Sequence, residues 1–190
     1  MSTEQCLTTL LGWQGWAVVK WEQRPVGDRT AVVLTVRRLG AGYRCGKCGQ
    51  AVRRLKDRRE QMIQHLTLWE HLTYVQFPKA RVICPTCGVT TEALPFVAKA
   101  ARVSTSLAAL VAELCKVMTN RAVALFQALH WDTVKTIDKR AIQAAQAARP
   151  LDGITTLGID EIAVGRGQRY WHLVSALDGP RRAEVLFVGE

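Results

Sequence analysis

Cys45-Gly-Lys-Cys48-Gly49 and Cys84-Pro-Thr-Cys87-Gly88 are separated by 35 residues and share one pattern, two thiols three positions apart with a glycine directly behind. Two thiols at this spacing can turn inward together and supply half of a tetrahedral zinc site. A glycine after the second thiol suits a tight knuckle, because it adopts φ > 0 without steric cost and lets backbone N–H groups face sulfur. The pairs are too far apart to belong to one turn, so the chain between them must fold back. Four cysteines acting as small buried hydrophobes would not produce the pattern twice. Cys45, Cys48, Cys84 and Cys87 are therefore expected to bind one structural Zn²⁺. Four thiols complete such a site, which leaves His65 and His71 as packing or surface residues, and Cys6 and Cys115 as packing residues.

Around this quartet the composition is that of a folded protein: 190 residues, 48% of them hydrophobic. No run has the length of a membrane span, and Met1-Ser-Thr-Glu-Gln5 lacks the basic-then-apolar pattern of a secretory signal. The expected setting is the cytoplasm, without membrane association, where paired thiols serve as metal ligands rather than disulfides. The net charge of +10 is unevenly spread. Residues 1–150 hold 22 Lys/Arg against 10 Asp/Glu, whereas 151–190 hold 4 against 6. A basic body joined to an acidic end points to a polyanion-binding region attached to something with another purpose.

Read from the start, the chain opens on a short apolar segment. Trp16 to Trp21 and Thr30 to Val36 then form two strands about a turn at Pro25, Gly27 and Asp28. Trp13, Trp16 and Trp21 suit core or rim packing in a small β module. After the first cysteine pair come Arg53, Arg54, Lys56, Arg58 and Arg59, a basic cluster expected as a phosphate-contacting loop or a solvated turn. Gln61 to Phe77 is rich in strand formers. Pro78-Lys79 is the expected turn, and Arg81 to Ile83 the strand that delivers the second pair to the metal.

Beyond Phe96 the composition shifts to alanine and leucine. Ser104 to Ser106 can cap a helix running to about Met118, with Leu107, Leu110, Val111 and Leu114 on one face. Thr119-Asn120 caps a second helix to about Leu129. Asp132 caps a third towards Ala148, striped by Val134, Ile137, Ala141 and Ala145, and Pro150 ends it. A short helix, a tight turn and a longer helix outline a helix-turn-helix, and Thr133, Lys135, Thr136, Lys139 and Arg140 of the third helix suit groove and phosphate contacts. From Ile154 the pattern changes to strands: Thr155 to Val164, a turn at 165–168, Tyr170 to Leu177, and Ala183 to Val188. This is an antiparallel meander, with Asp160 set unusually inside the first strand.

Zinc module, helix-turn-helix and the strand Gly158-Ile-Asp160-Glu161 followed by Tyr170-Trp-His-Leu-Val-Ser-Ala-Leu-Asp178 together resemble one family, the bacterial insertion-sequence transposases of the ISL-three type. The resemblance spans roughly residues 10–190. It implies an α+β, multi-module chain: a β-rich zinc-binding domain over 1–97, a three-helix DNA-binding region over 98–150, and over 151–190 the first three strands of an RNase H-like sheet. It implies double-stranded DNA, namely terminal inverted repeats, as partner, and a bacterial protein that is nucleoid-associated when bound. A homodimer stays open. In the full-length family, an Asp-Asp-Glu set with two Mg²⁺ ions cuts and rejoins DNA. Asp160 matches the first of these carboxylates, while Glu161 faces the other way in a regular strand. Asp178, Glu184 and Glu190 match no catalytic position. With the chain stopping at Val188-Gly-Glu190, the expectation is a truncated protein inactive alone. Two further readings fit the same residues: a zinc-containing helix-turn-helix transcriptional regulator, and a non-catalytic interaction protein.

Overall fold

Ser2 and Gln5 open the first element with a reciprocal cap, each side chain bonding the other's backbone N–H, and α1 follows over Thr3–Leu11. The structure is a computed structural model that describes residues 2–165, 167 and 169–189. It is α+β, with four α-helices and three sheets among the described residues. The chain divides into two compact units, 1–137 and 138–190.

In the first unit, β1 (Trp16–Val26) and β2 (Arg29–Arg38) form a hairpin that turns at Gly27-Asp28. The long strands β5 (Leu55–Leu68) and β6 (His71–Cys84) form a second hairpin, and β2 runs parallel to β6 to give the order β1-β2-β6-β5. A short ribbon of β3 (Tyr43–Arg44) and β4 (Ala51–Val52) carries the first cysteine pair. β7 (Gly88–Thr91) leaves the second pair and doubles back on β6.

The second hairpin differs from expectation in two ways. Its turn lies at Trp69-Glu70, with Trp69 at φ 53°, and Pro78 sits inside β6 opposite Glu60. Proline is tolerated there because β2 pairs with β6 only as far as Gln76 and β7 joins only from Arg81. The stretch between the two ladders is closed instead by Glu92, whose carboxylate accepts the Ala80 N–H at 2.8 Å. Second, the basic cluster is not one loop. Arg53 and Arg54 connect β4 to β5, whereas Lys56, Arg58 and Arg59 are strand residues.

The main core gathers Trp16, Val32, Leu34, Ile63, Val75, Phe77 and Phe96 between the sheet and α1. Trp13 stacks on Phe96 at 4.2 Å, and Trp16 meets Phe96 edge-on at 5.1 Å, so Trp16 is a core residue and the half-buried Trp13 packs against that core. Trp21 remains 44% exposed on the edge hairpin.

Three helices follow: α2 (Thr105–Cys115), α3 (Asn120–Phe126) and α4 (Trp131–Ala147). Ser104 and Thr119 cap the first two through bonds to the N–H groups of Leu107 and Ala122, in the places expected. Leu107, Val111, Val123, Ala124 and Val134 form their shared core, while Leu110 points outward and is 38% exposed. The third helix starts one residue earlier than Asp132. His130 takes the cap position, its carbonyl accepting from Thr133 and its ring from Asp132, so Asp132 lies in the first turn, where its charge suits the helix dipole. The interior stripe of α4 fades along its length: Val134 is buried, Ile137 and Ala141 are half-buried, and Ala145 is exposed.

In the second unit, β8 (Leu157–Ala163), β9 (Tyr170–Ala176) and β10 (Val185–Gly189) make the expected meander, in the order β10-β9-β8. Of the expected turn at 165–168, Arg166 and Gln168 lie outside the described residues, as does Glu190. Among the described residues no helix is long and apolar enough to cross a membrane.

Candidate metal centre and nucleic-acid interface

The two cysteine pairs meet. Sγ atoms of Cys45, Cys48, Cys84 and Cys87 all lie within 4.8 Å of one another, and those of Cys48 and Cys84 are 3.7 Å apart. A Zn²⁺ ion with four sulfurs at about 2.3 Å has sulfur–sulfur edges of roughly 3.8 Å, so the cage fits the ion. Long-range pairing builds it: β6 ends at Cys84, and β3 with β4 brings Cys45 beneath. Gly49 and Gly88 have φ of 74° and 70°, the left-handed knuckle conformation expected of each. The Lys47 N–H donates to Cys45 Sγ at 3.4 Å. Across the cage, the Thr86 hydroxyl donates to the Gln50 side chain at 3.1 Å, tying one knuckle to the other.

The thiols differ electrostatically. Backbone N–H groups of Cys48 and then Lys47 draw Cys45 down to about 6, whereas a hydrogen bond with the Cys48 sulfur, together with burial, pushes Cys87 up to about 12. One sulfur is thus ready to ionise first, and a divalent cation supplies the attraction that ionises the others. Bound there, zinc crosslinks residues distant in sequence, a structural role.

Glu92 was not singled out by the sequence pattern, yet it joins this centre to the sheet. Its side chain is 1% exposed and pairs with Arg38, whose guanidinium lies 4.7 Å from the Trp16 ring and 4.9 Å from the Tyr43 ring. Burial pushes the Glu92 carboxyl up, while the Ala80 N–H and Arg38 pull it down. A lone acid in the stretch Val89-Thr-Thr-Glu92-Ala-Leu was the available signal.

His65 and His71 stay outside the cage. His65 is buried with Nδ1 2.7 Å from the Ser104 hydroxyl, and burial holds its imidazole below the ordinary value. Beside it, Gln64 Nε2 donates to the Gln127 carbonyl at 2.7 Å, fastening the turn between α3 and α4 to β5. Ala128 in that turn is left-handed at φ 52°. On α4, Lys135, Thr136, Lys139 and Arg140 are exposed and Thr133 is half-buried. Lys135 rests over the Trp131 ring, and the Thr136 hydroxyl donates to the Asp132 carbonyl at 2.7 Å.

The basic residues of β5 divide between two faces, as strand alternation requires. Arg58 shares a hollow with Arg37 and Arg38, and Arg59 shares another with Asp57, Lys79 and Arg81. Lys47, Lys79 and Lys99, which no run of basic residues marks in the sequence, stand in the same cleft as Arg59.

Asp160 is exposed on β8, opposite Leu173, and accepts the Glu161 N–H at 2.8 Å. Glu161 pairs with His172 at 3.4 Å. Among the described residues Asp160 joins no cluster of ligating groups, so the described carboxylates do not fit a pair of Mg²⁺ ions. Asp178 serves the backbone instead, accepting the N–H groups of Thr155 and Thr156, each at 3.0 Å, and both their hydroxyls. These bonds, led by the Thr155 hydroxyl, hold its carboxyl far below the usual range.

Comparison with known proteins accounts for the order of these parts. Residues 42–87 match the family described as the zinc-finger of transposase IS204/IS1001/IS1096/IS1165. Residues 92–142 match the helix-turn-helix domain of transposase family ISL3. The transposase for insertion sequence element IS1001 of Bordetella parapertussis is 29% identical over 192 residues, covering 100% of this chain and 46% of that protein. The transposase for IS1557 of Mycobacterium tuberculosis is 30% identical over 169 residues, covering 86% of this chain and 37% of its own length. The chain thus spans less than half the length of these relatives. No solved structure matches it. Residues 42–142 carry, in that order, the zinc ribbon and the helix-turn-helix of ISL3 transposases, and the chain is a homologue of the IS1001 transposase along its whole length.

Proposed function

We propose that this chain is the DNA-binding N-terminal portion of a DDE transposase that recognises the terminal inverted repeats of its insertion sequence. The observation that carries the reading is the succession in one basic chain of a four-thiol cage and a three-helix unit, each matched to the corresponding transposase module. In this reading the chain is organised as a zinc-binding β module over 1–97, DNA-binding helices over 98–150 and the opening strands of an RNase H-like domain over 151–190. Thr133, Lys135, Thr136, Lys139 and Arg140 of α4 meet the groove and its phosphates, and Arg53, Arg54, Lys56, Arg58 and Arg59 add backbone contacts. Asp160 is the first carboxylate of the catalytic set, which in the whole protein works with Mg²⁺. The setting is the bacterial cytoplasm, at the nucleoid when bound, and two copies pairing two element ends is the assembly this role suits.

The reading is tested by equilibrium binding of the zinc-loaded chain to a duplex carrying the terminal repeat and to a scrambled duplex, each over a salt series. Tighter binding to the repeat, with log K falling linearly with log salt, is expected. Equal affinity for the two duplexes, or binding that ignores salt, overturns it.

A further inference from the structure

Four cations from four separate segments converge on one cleft of about 540 Å³. Lys47 comes from the first knuckle, between two metal ligands; Arg59 from β5; Lys79 from β6; and Lys99 from the segment beyond Val97. A neighbouring hollow of about 420 Å³ shares Arg59 and Lys79 and adds the Arg81–Asp57 pair.

Arg59 and Lys79 are direct cross-strand partners in the antiparallel ladder. Like charges in that position repel and weaken the pairing, so the fold itself gains nothing from them. Local acids relieve the repulsion only in part: Glu92, which lines the cleft, feels the charge of Lys79, and Asp57 that of Arg59. Asp57 is engaged by Arg81, and Glu92 by Arg38. Among the described residues none of Lys47, Arg59, Lys79 and Lys99 forms an ion pair. Four cations stand in this concave site against the single carboxylate of Glu92, which is itself paired with Arg38, and such an excess concentrates its field on whatever anion enters.

We infer that this cleft is a phosphate track for duplex DNA, separate from α4, in which Lys47, Arg59, Lys79 and Lys99 grip the backbone without reading sequence. The inference rests on the DNA-binding reading above and extends it to a site on the zinc-ribbon side of the first unit. Arg59 supplies a planar fork suited to two phosphate oxygens, and the lysines act as point charges. Lys47 ties the track to the metal, because the knuckle that presents it is shaped by Cys45 and Cys48. Contacts of this kind raise affinity for every sequence alike.

The experiment measures binding of the zinc-loaded 190-residue chain to an arbitrary-sequence duplex over a salt series. The variants are R59Q/K79Q, K47Q/R59Q/K79Q/K99Q and, as comparator on α4, K139Q/R140Q. Each lost phosphate contact removes about 0.9 from the slope of log K against log salt. The double cleft variant is expected to lose about 2 in slope and to bind on the order of 50-fold more weakly at 0.1 M salt. The quadruple variant loses between about 3 and 4, with zinc content unchanged. Lysine acetylation of the unmodified protein needs no variant: Lys47, Lys79 and Lys99 are expected to be protected when duplex is bound. If the cleft variants keep the original slope, or if the lysines acetylate equally fast with DNA bound, the cleft assignment falls and the DNA-binding reading stands. If the unmodified chain binds no duplex at any salt concentration, both fall.

Discussion

The Arg38 guanidinium closes on the buried Glu92 carboxylate in the gap where β2 has left β6 and β7 has not yet joined it. Glu92 completes the edge on both sides, accepting the Ala80 N–H at 2.8 Å and donating its own N–H to the Ala80 carbonyl at 3.1 Å. Glu92 also lies opposite Cys45, so the same residue that closes the sheet sits against a metal ligand.

Removing Arg38 leaves that carboxylate buried without its counter-charge. R38M is expected to destabilise the first unit by about 3 kcal/mol, read as a lowered urea midpoint. R38M/E92Q is expected to recover part of the loss, because the amide no longer carries a charge and can still accept from Ala80. A double variant as unstable as R38M alone would show that the ion pair is not the source of the effect.

Gly46 has a different constraint. A Cβ built there would stand 2.4 Å from the Thr91 carbonyl oxygen, a backbone atom that cannot swing away. G46A should push the knuckle off β7, break the Gly46 N–H bond to Thr91, and cost between about 1 and 3 kcal/mol with weaker zinc retention. Competition with a chromophoric chelator checks this; unchanged zinc affinity would count against the tight seating.

Zinc removal should act locally. The cluster around the cage holds Val52, Ala80 and Val82, apart from the main core and from the helical core. Chelation is expected to abolish exchange protection at Cys45, Gly46 and Gly49 while Val33, Val75 and Val111 stay protected. Loss of protection throughout the first unit would show instead that the metal holds the whole fold.

His65 makes the first unit sensitive to acid. Burial lowers its folded pKa, so the unfolded chain binds more protons below the unfolded value of about 6.5. Stability from this site is therefore complete above about pH 6.5 and is lost as pH falls towards the folded pKa. H65A should flatten that part of the pH–stability profile and, by removing one of the two partners of the buried Ser104 hydroxyl, cost about 2 kcal/mol at pH 7. A profile of the same shape in H65A would place the acid sensitivity elsewhere.

Asp178 gives the second unit its own dependence. Its carboxyl is held down by four donors, so the stability it contributes is present above the unfolded pKa of about 3.9 and is lost at lower pH. D178N is expected to lower exchange protection of β8 at neutral pH, where D178E should restore part of it. Equal protection in all three proteins would remove Asp178 from the account of that sheet.

Much of the fold is legible in the sequence wherever the physics is local. Cys45 and Cys48, or Cys84 and Cys87, are close enough in sequence for their spacing to set the knuckle, and Gly49 and Gly88 follow from the same turn. Ser104 and Thr119 cap helices through side-chain bonds three residues long. Ser2 and Gln5 form such a cap too, so the short apolar segment at the start carries a helix signal of the same kind. Pro78 misleads because a proline usually marks a turn; whether its missing N–H matters depends on which strand lies alongside.

What the chain determined by itself was therefore the ligand set, the caps, the order of strand-rich and helix-rich segments, and the basic balance of the first 150 residues. Tertiary structure decided which faces those residues serve. Register between β5 and β6 sets Arg59 against Lys79, and the closing of the thiol cage brings Lys47 to the same cleft. Such meetings depend on hydrogen-bond ladders between segments tens of residues apart, and a one-residue slip in register would exchange the two faces.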